Sequence, residues 1–193
     1  AASVGAPLPE PENIVWEKAS QEREQDIQID SFIIQGYGHH SKLDYAPACE
    51  IWARAWDQLL LRLSLSMTTV ELSLPAYNGS FHLNNWVQDY CATLHNAALG
   101  DVAMAQVGVS FCEGILLQFP DENSLFVENF RASLGEFHFL AGDPAQGQMI
   151  LTQLIADLPH RSVGYAHLSD MMGKPQYNLT ANTPIDHNLA VEL

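Results

Sequence analysis

Residues 85–117, NWVQDYCATLHNAALGDVAMAQVGVSFCEGILL, decide the fold. Trp86, Tyr90, Leu94 and Ala97 recur at steps of three or four, and Val87, Cys91, Leu94 and Ala98 form a second stripe beside them. That spacing predicts one helix burying a wide apolar face. Gly100 ends it. Asp101 then caps a second helix, which runs to Leu117 and stops before Pro120. Two helices joined by one short turn, with no alternating strand pattern, point to an all-α protein.

The same punctuation extends outward. Asp121-Glu122-Asn123-Ser124 opens a helix with the stripe Phe126, Phe130, Leu134, Phe137 and Ala141, closed by Gly142. Asp143-Pro144 supplies a cap followed by proline at the first helical position, and that helix reaches Leu158 before Pro159. A shorter one is expected from Ser162 to Met172. Upstream, a helix is expected from Asp44 into Leu63, with Pro47 tolerated in its first turn. Another is expected from Gln21 to the glycines Gly36 and Gly38. The Ser/Thr-rich stretch from Ser64 to Ser80 reads as a long connection. The domain expectation is therefore a proline-rich acidic arm over 1–20 (Pro7, Pro9, Pro11), a helical domain over 21–173 and a non-periodic tail over 174–193.

Self-similarity sharpens this expectation. Asp44, Asp101 and Asp143 each precede an alanine by two or a proline-alanine pair, and each is followed four residues later by a tiny residue: Ala48, Ala105 and Gly147. Trp52, Val109 and Leu151 stand eight after each Asp, and Leu59, Leu116 and Leu158 fifteen after. Small residues early in a helix let the preceding antiparallel helix come close, and the large ones later fill the seam. This is how stacked helical hairpins bury each other's apolar faces. The intervals, 57 residues from Asp44 to Asp101 and 42 from there to Asp143, make the array irregular.

Charge restricts the partners. The chain of 193 residues carries 23 Asp+Glu against 8 Lys+Arg, a formal net charge of −15. No Lys or Arg lies between Arg62 and Arg131. Phosphate recognition depends mainly on those cations, so nucleic acid and anionic membrane surfaces are disfavoured. No stretch is apolar for the ~18 residues that a membrane span needs. Cys49, Cys91 and Cys112 are far apart, odd in number and set in apolar helical patterns, which fits reduced core thiols and a cytoplasmic default. The glycosylation-type triplets at Asn78 and Asn178 are too common by chance to move that expectation.

Three segments carry a resemblance: Asp44-Tyr45-Ala46-Pro47-Ala48-Cys49-Glu50-Ile51-Trp52 continuing to Trp56; Asn85-Trp86-Val87-Gln88-Asp89 with Leu94-His95-Asn96-Ala97; and Glu128-Asn129-Phe130-Arg131 through Gly142-Asp143 to Gly164-Tyr165-Ala166-His167-Leu168-Ser169-Asp170. Across residues 30–172 the chain resembles bacterial tetratricopeptide-like proteins, some of which carry a C-terminal SEC-C zinc motif. The resemblance implies an irregular tetratricopeptide-like stack of antiparallel helical hairpins and no established activity. No cysteine follows Cys112, so the zinc motif and any SecA-like role tied to it are not carried over.

The residues then suggest a groove. Gln88 with His95, and Asp89 with Asn96, are seven apart, so each pair projects from one side of its helix. On the helix around Phe126 the corresponding face offers Glu128, Arg131 and His138, with Asn129 and Glu136 alongside. Arg131 suits a carboxylate, either a partner's or that of Glu128 or Glu136. Trp86 and Tyr165, both in the resembling segments, complete the candidate partner-binding set. No nucleophile elbow, phosphate loop or paired low-pKa thiol is present, so the expected role is a non-catalytic protein-interaction scaffold or adaptor without cofactor. Its partner would be a basic or neutral protein or peptide, because an acidic tail would meet like charge. The alternative is a metal-binding protein or metal-dependent enzyme using scattered residues such as His39, His40, His167 and Asp170.

Overall fold

Proline opens the first helix instead of preventing it. The computed structural model describes residues 11–173, with side chains from Glu17 onward. Helix α1 spans Pro11–His40. Proline at the start of a helix loses an N–H that had no partner there. Helix therefore begins ten residues before the expected boundary at Gln21, and the 1–20 arm is corrected over 11–20. Pro7, Pro9 and the tail expected at 174–193 lie outside the described residues. Gly36 does not end α1 either. It is buried within the helix, and a Cβ there would collide with the indole of Trp52.

Six more α-helices follow among the described residues: α2 (Tyr45–Leu60), α3 (Leu83–Ala98), α4 (Val102–Gln118), α5 (Ser124–Leu140), α6 (Pro144–Asp157) and α7 (Ser162–Gly173). No strand occurs among those residues. Each helix packs on the next in chain order, and α3 also touches α5, as α5 does α7. The arrangement is compatible with a helical repeat stack, with α3, α5 and α7 side by side in one layer.

The aspartates expected as caps separate into two kinds. The Asp101 carboxylate accepts from the backbone N–H groups of Ala103 and Met104, and that of Asp143 accepts from Gln146. Asp44 makes no such bond. The small residues behave alike: Ala48 and Ala105 are fully buried, and Gly147 is buried so close to α5 that an added Cβ would stand 2.7 Å from the Gly135 carbonyl oxygen.

Two cores result. The larger draws on α1 to α5, and a run of rings crosses it from α2 to α5: Trp52 on Tyr90 (5.8 Å between centroids), Tyr90 on Phe111 (4.5 Å), Phe111 on Phe130 (6.2 Å) and Phe130 on Phe126 (4.7 Å). The smaller holds Ala132 and Phe139 of α5, Leu151 and Leu154 of α6, and Leu168, Met171 and Met172 of α7. Helix α5 contributes to both, which is why it is buried almost all round. The connection after α2 is anchored by Gln118, whose side-chain amide donates to the Ser64 and Met67 carbonyls at 3.0 Å each, and by Glu122, which accepts from the Val70 N–H at 2.8 Å. No helix among the described residues is long and apolar enough to cross a membrane.

Candidate binding groove

Helices α3 and α5 meet along only part of their length, and between them lies an open cavity of about 390 Å³. Helical spacing decides what lines it. Gln88, Cys91, Ala92, His95 and Asn96 share one face of α3, and Asn129, Phe130, Ser133 and Glu136 share one face of α5. Three other depressions are larger, about 500 Å³ beside residues 69–84, about 520 Å³ between α4, α5 and α6, and about 430 Å³ along α6. None of them is lined by a buried carboxylate, and so the α3/α5 cavity is the stronger candidate.

Its floor is Glu136, a carboxylate on the inward side of α5 and only 8% exposed. His167 Nδ1 of α7 lies 2.7 Å from Oε1, and His95 Nδ1 of α3 lies 3.2 Å from Oε2. Burial alone would push this carboxyl up, but hydrogen bonds from His167 and then His95, reinforced by their charge, hold it down at about 2. The bond to Glu136 raises the His167 imidazole above its ordinary value against the opposing effect of burial, and the charges of Glu136 and Asp170 add to the rise. One carboxylate thus ties three helices together at the cavity floor.

On the α3 wall, Cys91 Sγ lies 3.8 Å from Cys112 Sγ of α4. Burial drives the Cys112 thiol well above its ordinary value, with Cys91 next to it adding to the effect. Thiols that lie far apart in the sequence are therefore neighbours in the core, and Cys112 stays protonated.

The expected site residues divide. Gln88, His95, Asn96 and Asn129 line the cavity together. Asp89 lies one residue off that face and is exposed; its carboxylate accepts from Tyr37 of α1 at 2.6 Å. Trp86 is 1% exposed, stacked on Tyr90 and packed near Trp56, so it is core, and its buried N–H has no partner among the described residues. Glu128 is 4% exposed and pairs with Arg161 at 3.0 Å. Arg131 projects from the other side of α5, where it pairs with Asp157 at 2.6 Å and lines the depression between α4, α5 and α6. It meets neither Glu128 nor Glu136. His138 and Tyr165 are half-buried and do not line the cavity; the Tyr165 hydroxyl lies 3.5 Å from the Pro159 carbonyl oxygen.

Sequence reasoning undervalued Glu136 and missed its pairing with His167. A single glutamate in an apolar stretch was the available signal, since burying a charge demands partners. The partners, 41 positions back and 31 ahead, leave no local trace. No group of three or more His, Cys, Asp or Glu side chains placed to hold a metal ion occurs among the described residues. Compared with protein-family models, with curated proteins and with solved structures, the chain gives no match in any of the three.

Proposed function

We propose that this protein is a non-catalytic interaction scaffold, built as an irregular tetratricopeptide-like array, that holds a protein or peptide partner in the groove between α3 and α5. One observation carries the reading: amides and a hydroxyl from two helices converge on an open cavity whose floor is a fixed, buried charge. Gln88, Asn96, Asn129 and Ser133 offer the mixed hydrogen-bonding groups that an extended segment requires. The resemblance of residues 30–172 to tetratricopeptide-like proteins supports the same use of this layer of helices.

Site-directed photo-crosslinking tests the proposal. A photoreactive residue in place of Asn96 should capture a discrete protein partner, whereas one in place of Leu117, 76% exposed on α4, should not. Asn129→Ala should reduce capture at Asn96 several-fold while leaving the melting temperature within a degree or two. Capture only from Leu117, or from neither position, overturns the groove assignment.

A further inference from the structure

Resting on that reading, we infer that the groove receives an arginine side chain of the partner, with the guanidinium taken by Glu136 and by the carboxamide oxygens of Gln88 and Asn96. On the α3 wall the side-chain amides turn their acceptors toward the cavity. The Gln88 side-chain nitrogen is committed to the Asn84 carbonyl at 3.2 Å, and that of Asn96 to the Ala92 carbonyl at 3.1 Å. Both leave their own oxygens for a ligand. Arginine is the natural complement, because its head group carries five donors and no acceptor.

Glu136 is unevenly occupied. Oε1 is held closely by His167 at 2.7 Å, whereas Oε2 has only His95, at 3.2 Å. His95 makes the longer of the two contacts and itself lines the cavity, so it is the partner that a stronger donor displaces. Apart from the two imidazoles, no cation among the described residues lines the groove. Helices α3 and α4 contain no Lys or Arg, Arg131 is spent on Asp157, and Arg161 on Glu128. A net charge of −15 draws cations toward the molecule. A planar fork can engage a carboxylate and neighbouring amide oxygens together, which the compact ammonium of lysine does less well.

The test is an NMR titration at constant ionic strength with N-acetyl-arginine amide, N-acetyl-lysine amide and N-acetyl-citrulline amide. The last has nearly the shape of arginine without its charge. Arginine should shift the ring signals of His95 and the amides around Asn96 and Ser133 saturably, lysine less, and citrulline hardly at all. Glu136→Gln should weaken arginine binding at least tenfold, while His95→Ala, which removes the competitor, should tighten it several-fold. Nonspecific attraction to an acidic surface would be nearly indifferent to both substitutions. Absence of a saturable shift, equal binding of citrulline or lysine, or insensitivity to Glu136→Gln overturns the inference. The outcomes separate the two readings: capture at Asn96 without arginine binding removes this inference alone, and loss of capture at Asn96 removes the groove reading whatever arginine does.

Discussion

At the scale of single residues, Glu136 makes stability depend on pH in two opposite senses. Its carboxyl is held at about 2 in the folded chain against an ordinary 4.5, so this contribution is complete above the ordinary value and fades as pH falls through the folded one. His167 is raised above its ordinary 6.5, so its contribution is complete below that value and is lost as pH rises through the folded one. Melting temperature measured against pH should therefore have a broad maximum between 4.5 and 6.5, and Glu136→Gln should flatten it. Glu136→Ala, which strands two imidazoles beside a hole, should cost about 3 kcal/mol in a urea titration. Cys49 offers no such handle, because burial, aided by the charge of Glu50, pushes its thiol up to about 12.

At the scale of helices, residues that look equivalent in sequence diverge in consequence. Asp101→Ala and Asp143→Ala each remove a working cap and should cost about 1 kcal/mol. Asp44→Ala should cost only a few tenths, because that side chain makes no cap bond. Glycines divide in the same way. Gly147→Ala drives a methyl against the Gly135 carbonyl, which cannot move without parting α5 from α6, and should destabilise by about 2 kcal/mol. Gly114 lies within α4 with nothing within 4 Å of an added Cβ, so Gly114→Ala should stabilise by roughly 0.5–1 kcal/mol. Chemical denaturation of the five variants checks both contrasts.

For the whole molecule, the division into two cores matters most. The larger unites α1 to α5 around large aromatic side chains, whereas α6 and α7 rest on a smaller cluster with the Glu136–His167 and Glu128–Arg161 pairs as additional ties. Fewer buried apolar contacts mean a smaller opening free energy. Native-state hydrogen exchange should therefore find α7 opening before α2 to α5. Leu168→Ala should speed exchange in α6 and α7 with little change in α2, and raising pH above the His167 value should loosen α7 in the same direction.

Helical class, the turns at Gly100 and Gly142, the Asp101 and Asp143 caps and the early small residues Ala48, Ala105 and Gly147 were all legible in the chain, because each is decided within a turn or two of itself. That Gln88 and His95 share one face of α3 was also legible, since helical spacing fixes which side chains of one helix project together; that Asn129 of α5 faces them was not. The fate of Trp86, Arg131 and Glu128 was not. Rotation of a helix about its axis is settled by what packs against every side of it, and α5 is packed on nearly all of them. For the same reason, only the folded chain could bring His95 and His167 to Glu136 or set Cys91 against Cys112. Local pattern determines which segments coil and where they stop, while burial of a charge, which requires partners from distant segments, is decided only when those segments meet.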